Sequence, residues 1–113
     1  MNRPLHEHPV CFDVDQTIIY WDPENHPDAP TMEVVTPWGT KTTLGINTWI
    51  VERIRQHHVQ GHFIIIWSHG GGSWARTVLE TLGIEHMATL MISKPGIMYD
   101  DTLPNEWTTV VKP

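Results

Sequence analysis

The chain predicts an α/β fold, a parallel sheet flanked by helices, and three observations carry that reading. Short apolar runs at Val10-Cys11-Phe12, Phe63-Ile64-Ile65-Ile66-Trp67 and Thr89 to Ile92 have the length and composition of buried strands. Between them lie two stretches of helical periodicity, one carrying Ile46, Ile50, Val51 and Ile54 and the other Trp74, Val78, Leu79 and Leu82. Chemistry-bearing residues then fall just after the apolar runs, at the strand edge where open α/β sheets bind ligands.

The elements follow in order. Residues 1–8 read as a polar tail, and Val10-Cys11-Phe12 as the first strand. Residues 20–45 hold Pro23, Pro27, Pro30 and Pro37 with Asp22, Asn25 and Asp28, a loop composition. Within it, Met32 to Thr36 and Thr40 to Leu44 flank Pro37-Trp38-Gly39 and predict a small β-hairpin. Asn47 caps a helix that runs to about Gln60, with Gly61 as its stop. Ser73 is the expected cap of the next helix and Gly83 its end. A fourth strand, Ile97-Met98-Tyr99, is expected to end in Asp100-Asp101. Pro104 marks a turn, and Thr108 to Val111 reads as a last short strand. The order strand, hairpin, helix, strand, helix, strand, strand suits one domain over residues 1–113 with right-handed crossovers.

Size and composition narrow the function classes. At 113 residues the chain holds one core and no large second domain. No run approaches the ~20 apolar residues of a membrane span, and the polar start is unlike a signal peptide. A formal charge of −6 argues against long nucleic acid as a partner. The single cysteine, Cys11, allows no intramolecular disulfide and is expected as a small buried apolar residue. A reducing, cytoplasmic setting is the expectation.

The most informative stretch is Val-Cys-Phe-Asp-Val-Asp-Gln-Thr, residues 10–17. Asp13 and Asp15 sit at or just past a strand end, two residues apart and followed by Thr17. Two carboxylates so close call for a metal or a cationic partner. An Asx turn or helix cap is the simpler alternative for Asp-x-Asp by itself. The later strand ends add to it, bringing Ser68 before Gly70 to Gly72, then Lys94, then Asp100-Asp101.

That ordered set, Asp-x-Asp-x-Thr, Ser, Lys and Asp-Asp, resembles the four motifs of the haloacid dehalogenase-like (HAD) superfamily over Val10 to Asp101. The resemblance implies a Rossmann-like sheet and a capless member in which residues 18–45 form a hairpin flap. It implies a hydrolase of phosphatase type, with Asp13 as nucleophile forming an aspartyl-phosphate. Asp15 would be the general acid and base, a role that favours a pKa raised towards neutrality. Magnesium would be held by Asp13, the Asp15 carbonyl and one of Asp100 and Asp101, with Asp100 favoured and the reverse left open. Ser68 and Lys94 would hold phosphoryl oxygens, helped by the glycines from Gly70 onward, while Thr17 would fix the loop after the first strand. Position 16, often Gly or Asp in this family, is Gln here. Capless members often act on large substrates or close the site by oligomerising. The substrate class implied is a phosphorylated small molecule or nucleotide.

Two residue types invite other readings. None of the eight histidines forms a pair with the His-Glu-x-x-His spacing of a zinc site, although His69 stands beside Ser68 and could touch substrate. Trp49 and Trp74 fall at helical core positions, and Trp67 alternates away from Ser68. Trp21 and Trp38 lie in the flap, where each could stack on a base or sugar or pin the flap to its own body. A receiver domain would place its paired acids first and its phospho-acceptor at the third strand, so that order fails. Two alternatives to the phosphatase remain: a HAD-like binding module with little turnover, and a phosphotransferase to an acceptor other than water.

Overall fold

Strand β5 (Ile64–Ser68) organises the molecule, because every residue of it is wholly or half buried. The computed structural model describes residues 8–113, so the tail expected over residues 1–8 lies, but for His8, outside the described residues. β5 is central in a parallel sheet of order β1-β5-β6, between β1 (Val10–Asp13) and β6 (Leu90–Ser93). The register pairs Phe12 with Ile66 and Asp13 with Trp67 on one side, and Ser68 with Ser93 on the other. All three strands therefore end at the same edge. Ile64 and Ile66 are completely buried, as the alternation of side chains across a sheet requires for one covered face.

The helices α1 (Thr48–Val59) and α2 (Gly72–Leu82) both pack against β5. Asn47 caps α1, its Oδ1 accepting from the Ile50 N–H at 3.4 Å. Ile50 and Ile54, four residues apart, form the buried stripe. Trp49 is not in it. It is 49 % exposed, rotated off the stripe, with the Arg53 guanidinium 5.2 Å over its ring. The cap of α2 is Gly71 at φ +98°, not Ser73, which lies inside the first turn and is exposed. Gly83 closes α2 in the left-handed conformation, as the sequence predicts.

The flap is more than a hairpin. β3 (Thr31–Val35) and β4 (Lys41–Ile46) form the expected hairpin, and β2 (Ile19–Tyr20) adds a third antiparallel strand on the other side of β4. The Pro37-Trp38-Gly39 turn is held by Thr36 N–H donating to the Thr40 carbonyl at 2.8 Å, with Gly39 at φ +88°. Val34 and Leu44 face the core, where Ile18 and Ile19 from the start of the insert are completely buried. α2 touches β3, so this second sheet is packed on the body.

The chain after β6 departs from the sequence expectation. Residues 97–99 form no strand and are exposed, Tyr99 to 96 %. A parallel strand needs a crossover of a dozen or more residues, and only Lys94-Pro95-Gly96 separate β6 from Ile97. Asp100-Asp101 is thus not at a strand end. Pro104 opens a single turn, α3 (Pro104–Trp107), and residues 108–111 are irregular and exposed instead of a last strand. Cys11 also differs from expectation. It is exposed on the outer strand β1, which among the described residues pairs only with β5. Partial desolvation and the charge of Asp13, against a smaller pull from Lys94, nonetheless push its thiol up to about 11, so it stays protonated at neutral pH.

The approach of α2 to β6 is close enough to test. A Cβ added at Gly72 would lie 2.9 Å from the Met91 carbonyl oxygen and 3.3 Å from the Ile92 Cα. Gly72→Ala should therefore destabilise the protein by about 1–3 kcal/mol, although alanine is the better helix former. A urea midpoint equal to or above that of wild type would show that α2 can move off the strand.

Candidate functional site

The backbone between β1 and β2 folds into a tight turn around one carbonyl. The Val14 oxygen accepts from the N–H groups of Thr17, Ile18 and Ile19 at 3.2, 2.9 and 3.2 Å. Val14 is completely buried and its own N–H donates to the Trp67 carbonyl on β5. Gln16 takes a left-handed φ of 60° within this turn. Its side chain bridges the loop, Nε2 donating to Asp22 at 2.9 Å and Oε1 accepting from the Trp21 N–H at 2.7 Å. Gln16 thus fastens Trp21 to the turn.

Asp13 and Asp15 leave this turn into different surroundings. Asp13 Oδ2 accepts from the Thr17 hydroxyl at 3.3 Å. Its Oδ1 is shielded from solvent, accepts no hydrogen bond, and faces the Lys94 ammonium 3.7 Å away. Asp15 has the opposite character. Its Oδ2 accepts from the Ser68 hydroxyl at 2.6 Å, and its Oδ1 from the indole N–H groups of Trp21 and Trp74 at 2.9 and 3.0 Å. Partial burial pushes the Asp15 pKa up, but the bonds from Ser68, Trp21 and Trp74 outweigh it and hold the carboxyl below the usual aspartate range. This corrects the expectation of a raised value.

Ser68 is completely buried at the end of β5, and its oxygen also accepts the Gly70 N–H at 2.9 Å. Its carbonyl accepts from the N–H of Gly71 at 3.0 Å and of Lys94 at 2.9 Å, which fixes Lys94 directly beyond β6. The parallel register thus brings Asp13, Asp15, Thr17, Ser68 and Lys94 to one edge. His69 and Gly70 follow Ser68 and are exposed. Asp100 and Asp101 do not join the group: both are exposed, and Asp100 Oδ1 is turned back on the N–H and hydroxyl of Thr102. Among the described residues no three His, Cys, Asp or Glu side chains converge as a metal-ligating set.

The tryptophans form a ladder that sequence reasoning did not reach. Trp38, 69 % exposed on the hairpin turn, stacks on Trp21 at 6.0 Å between ring centroids, and Trp21 stacks on Trp74 at 5.5 Å. Trp21 therefore pins the insert to the body. Trp74 is core, as expected, but also donates to Asp15. Nothing in the spacing of residues 15, 21 and 74 signals this meeting, because it depends on the packing of two sheets. An open groove beside the site, along Ser73, Arg76, Thr77, Met91 and Ser93, includes neither carboxylate.

Comparison with protein-family models, with curated proteins and with solved structures finds no match to this chain. Among the described residues no helix is long and apolar enough to cross a membrane.

The Asp15 bonds predict a pH signature. A depressed folded pKa adds stability that is present above the unfolded value of about 3.9 and is lost as pH falls through the folded pKa. Asp15→Asn should be less stable than wild type at pH 7, and the difference should shrink as pH falls from about 5 to below 3. Paired urea denaturation curves measure it; a difference independent of pH would mean that Asp15 contributes through shape alone.

Proposed function

We propose that this chain is a magnesium-dependent phosphomonoester hydrolase of the HAD-like kind, with Asp13 as nucleophile on a capless, Rossmann-like sheet. The observation that supports it best is the state of Asp13. Thr17 orients the carboxylate through one oxygen, while the other accepts no hydrogen bond and faces a lysine. A carboxylate held in this way is oriented but not tied up. Attack on phosphorus would form an acyl phosphate on Asp13 and break the bond from phosphorus to the leaving oxygen, which takes up a proton to depart as the alcohol. Water would then cleave the acyl phosphate, releasing phosphate and regenerating Asp13. Lys94 supplies positive charge where negative charge gathers on the phosphoryl oxygens.

The residues suit magnesium in part. Asp13 Oδ1 is a hard oxygen without a hydrogen-bond donor, and magnesium is commonly held by one or two carboxylates with the rest of its shell from water and substrate phosphate. Asp13 would hold it, with the Asp15 carbonyl by the resemblance; Asp100 and Asp101 contribute nothing in the present fold. The ion would offset charge on the transferring group when bound. Asp15 can act as an acid only by taking up a proton, which requires loosening the bonds that keep it ionised. Release of the Ser68 hydroxyl from Asp15 would do so and would also free that hydroxyl for a phosphoryl oxygen.

One observation favours a second reading, a module that binds a phosphorylated ligand with little turnover. Ser68 and Asp15 are bonded to one another, so two of the groups a phosphatase would use are engaged. Phosphate release from an aryl phosphate and from a panel of sugar phosphates and nucleotides, with and without magnesium, separates the two. Turnover that needs magnesium and falls at least 100-fold in Asp13→Asn is expected, on the order of the loss of a group that forms the covalent bond. Phosphate binding by a folded protein with no turnover above the Asp13→Asn variant would select the binding module and overturn the enzyme.

A further inference from the structure

We propose that His57 and His62 form a two-histidine site for a borderline divalent transition ion, zinc, nickel or copper, at the junction of α1 and β5. The pair is created by the way α1 ends. The His62 N–H donates to the His57 carbonyl at 3.0 Å and the Gly61 N–H to the His58 carbonyl at 3.0 Å, with Gly61 at φ +78°. These are the two bonds of a Schellman ending, whose geometry sets the third residue from the helix end against the second residue beyond it. That contact is usually apolar. Here both positions are histidine.

The two Nδ1 atoms stand 2.6 Å apart, with ring centroids 4.9 Å apart and planes inclined at 39°. At that distance the Nδ1–H of one neutral ring donates to the Nδ1 lone pair of the other, and a cation bound by both lone pairs can take that proton's place. Metal–nitrogen lengths of about 2.0–2.1 Å place cis nitrogens ~2.9–3.4 Å apart, so a small outward swing of the rings admits an ion. His57 is braced for this by an edge-on contact with Phe12 on β1 at 5.9 Å. Its surroundings also favour the neutral, ligating form: burial, then His62, then the charge of Arg53 lower its affinity for a proton. Arg53 itself is turned onto Gln56, its Nη1 2.8 Å from Oε1. Imidazole suits zinc, nickel and copper, and copper(II) should bind tightest in the usual order of affinities. Water completes the shell. The site is independent of Asp13 and of the proposed hydrolysis.

Isothermal titration of the full chain with zinc tests it, in a background where His6 and His8 are glutamine so that the N-terminal histidines contribute nothing. One zinc per chain is expected, with affinity falling at least tenfold in His57→Gln and in His62→Gln. The double variant His58→Gln/His86→Gln should leave it unchanged, although those rings also meet, at 5.9 Å between centroids. His62 lies outside the helix, so His62→Gln keeps the test open if His57→Gln disturbs packing. Long-range proton–nitrogen NMR spectra should show Nδ1 of both residues shifting on zinc addition. Zinc affinity unchanged in both single variants, or Nδ1 signals that ignore zinc and report only a shared proton, would overturn the site.

Discussion

The carboxylate of Asp15 ties three separate parts of the chain together at one point. Its donors come from the end of β5, from the segment after β2 and from α2. Each donor is half-buried or more, so each indole N–H and the Ser68 hydroxyl would cost free energy if left without an acceptor. One ionised side chain satisfies all three. The parallel sheet, the second sheet and α2 are thereby fixed at a single point, and removing the acceptor would strand three donors at once.

The same arrangement divides labour between two aspartates only two residues apart. Asp15 is saturated with donors and stays ionised as a structural acceptor, whereas Asp13 keeps one oxygen free of hydrogen bonds opposite Lys94. Paired carboxylates in contrasting environments are a recurrent route to separate chemical roles. The turn that separates them is held by Val14, whose carbonyl gathers three N–H donors and whose side chain is completely buried. Gln16 extends this control outward by tying Trp21 and Asp22 into the loop.

The second sheet is best understood as an extension of this site. Its first strand begins directly after the turn, with Ile18 and Ile19 completely buried, and its hairpin turn sends Trp38 to the outer end of a stack that continues through Trp21 to Trp74. Motion of the hairpin would therefore be felt by Asp15 through Trp21. Aromatic stacking adds to area burial by about 0.5–1.5 kcal/mol per pair, so the ladder is a material part of what holds the insert down.

Much of the fold was legible because local rules decide it. The apolar runs of β1, β5 and β6, the Asn47 cap, the Gly83 stop and the Pro37-Trp38-Gly39 hairpin each follow from periodicity or turn chemistry. The fourth strand expected at Ile97-Met98-Tyr99 fails, since the three residues between it and the end of β6 cannot make a parallel crossover. The grouping of Asp13, Thr17, Ser68 and Lys94 followed from their places at strand ends. Tertiary structure alone decided that Asp15 accepts from Trp21 and Trp74, that Asp100 and Asp101 stay apart, that Trp49 and Cys11 are exposed, and that His57 meets His62. Those outcomes depend on the relative placement of whole elements, or on a side-chain direction set by a helix ending. Sequence spacing fixes which residues share a strand or helix face, but not which faces are brought together.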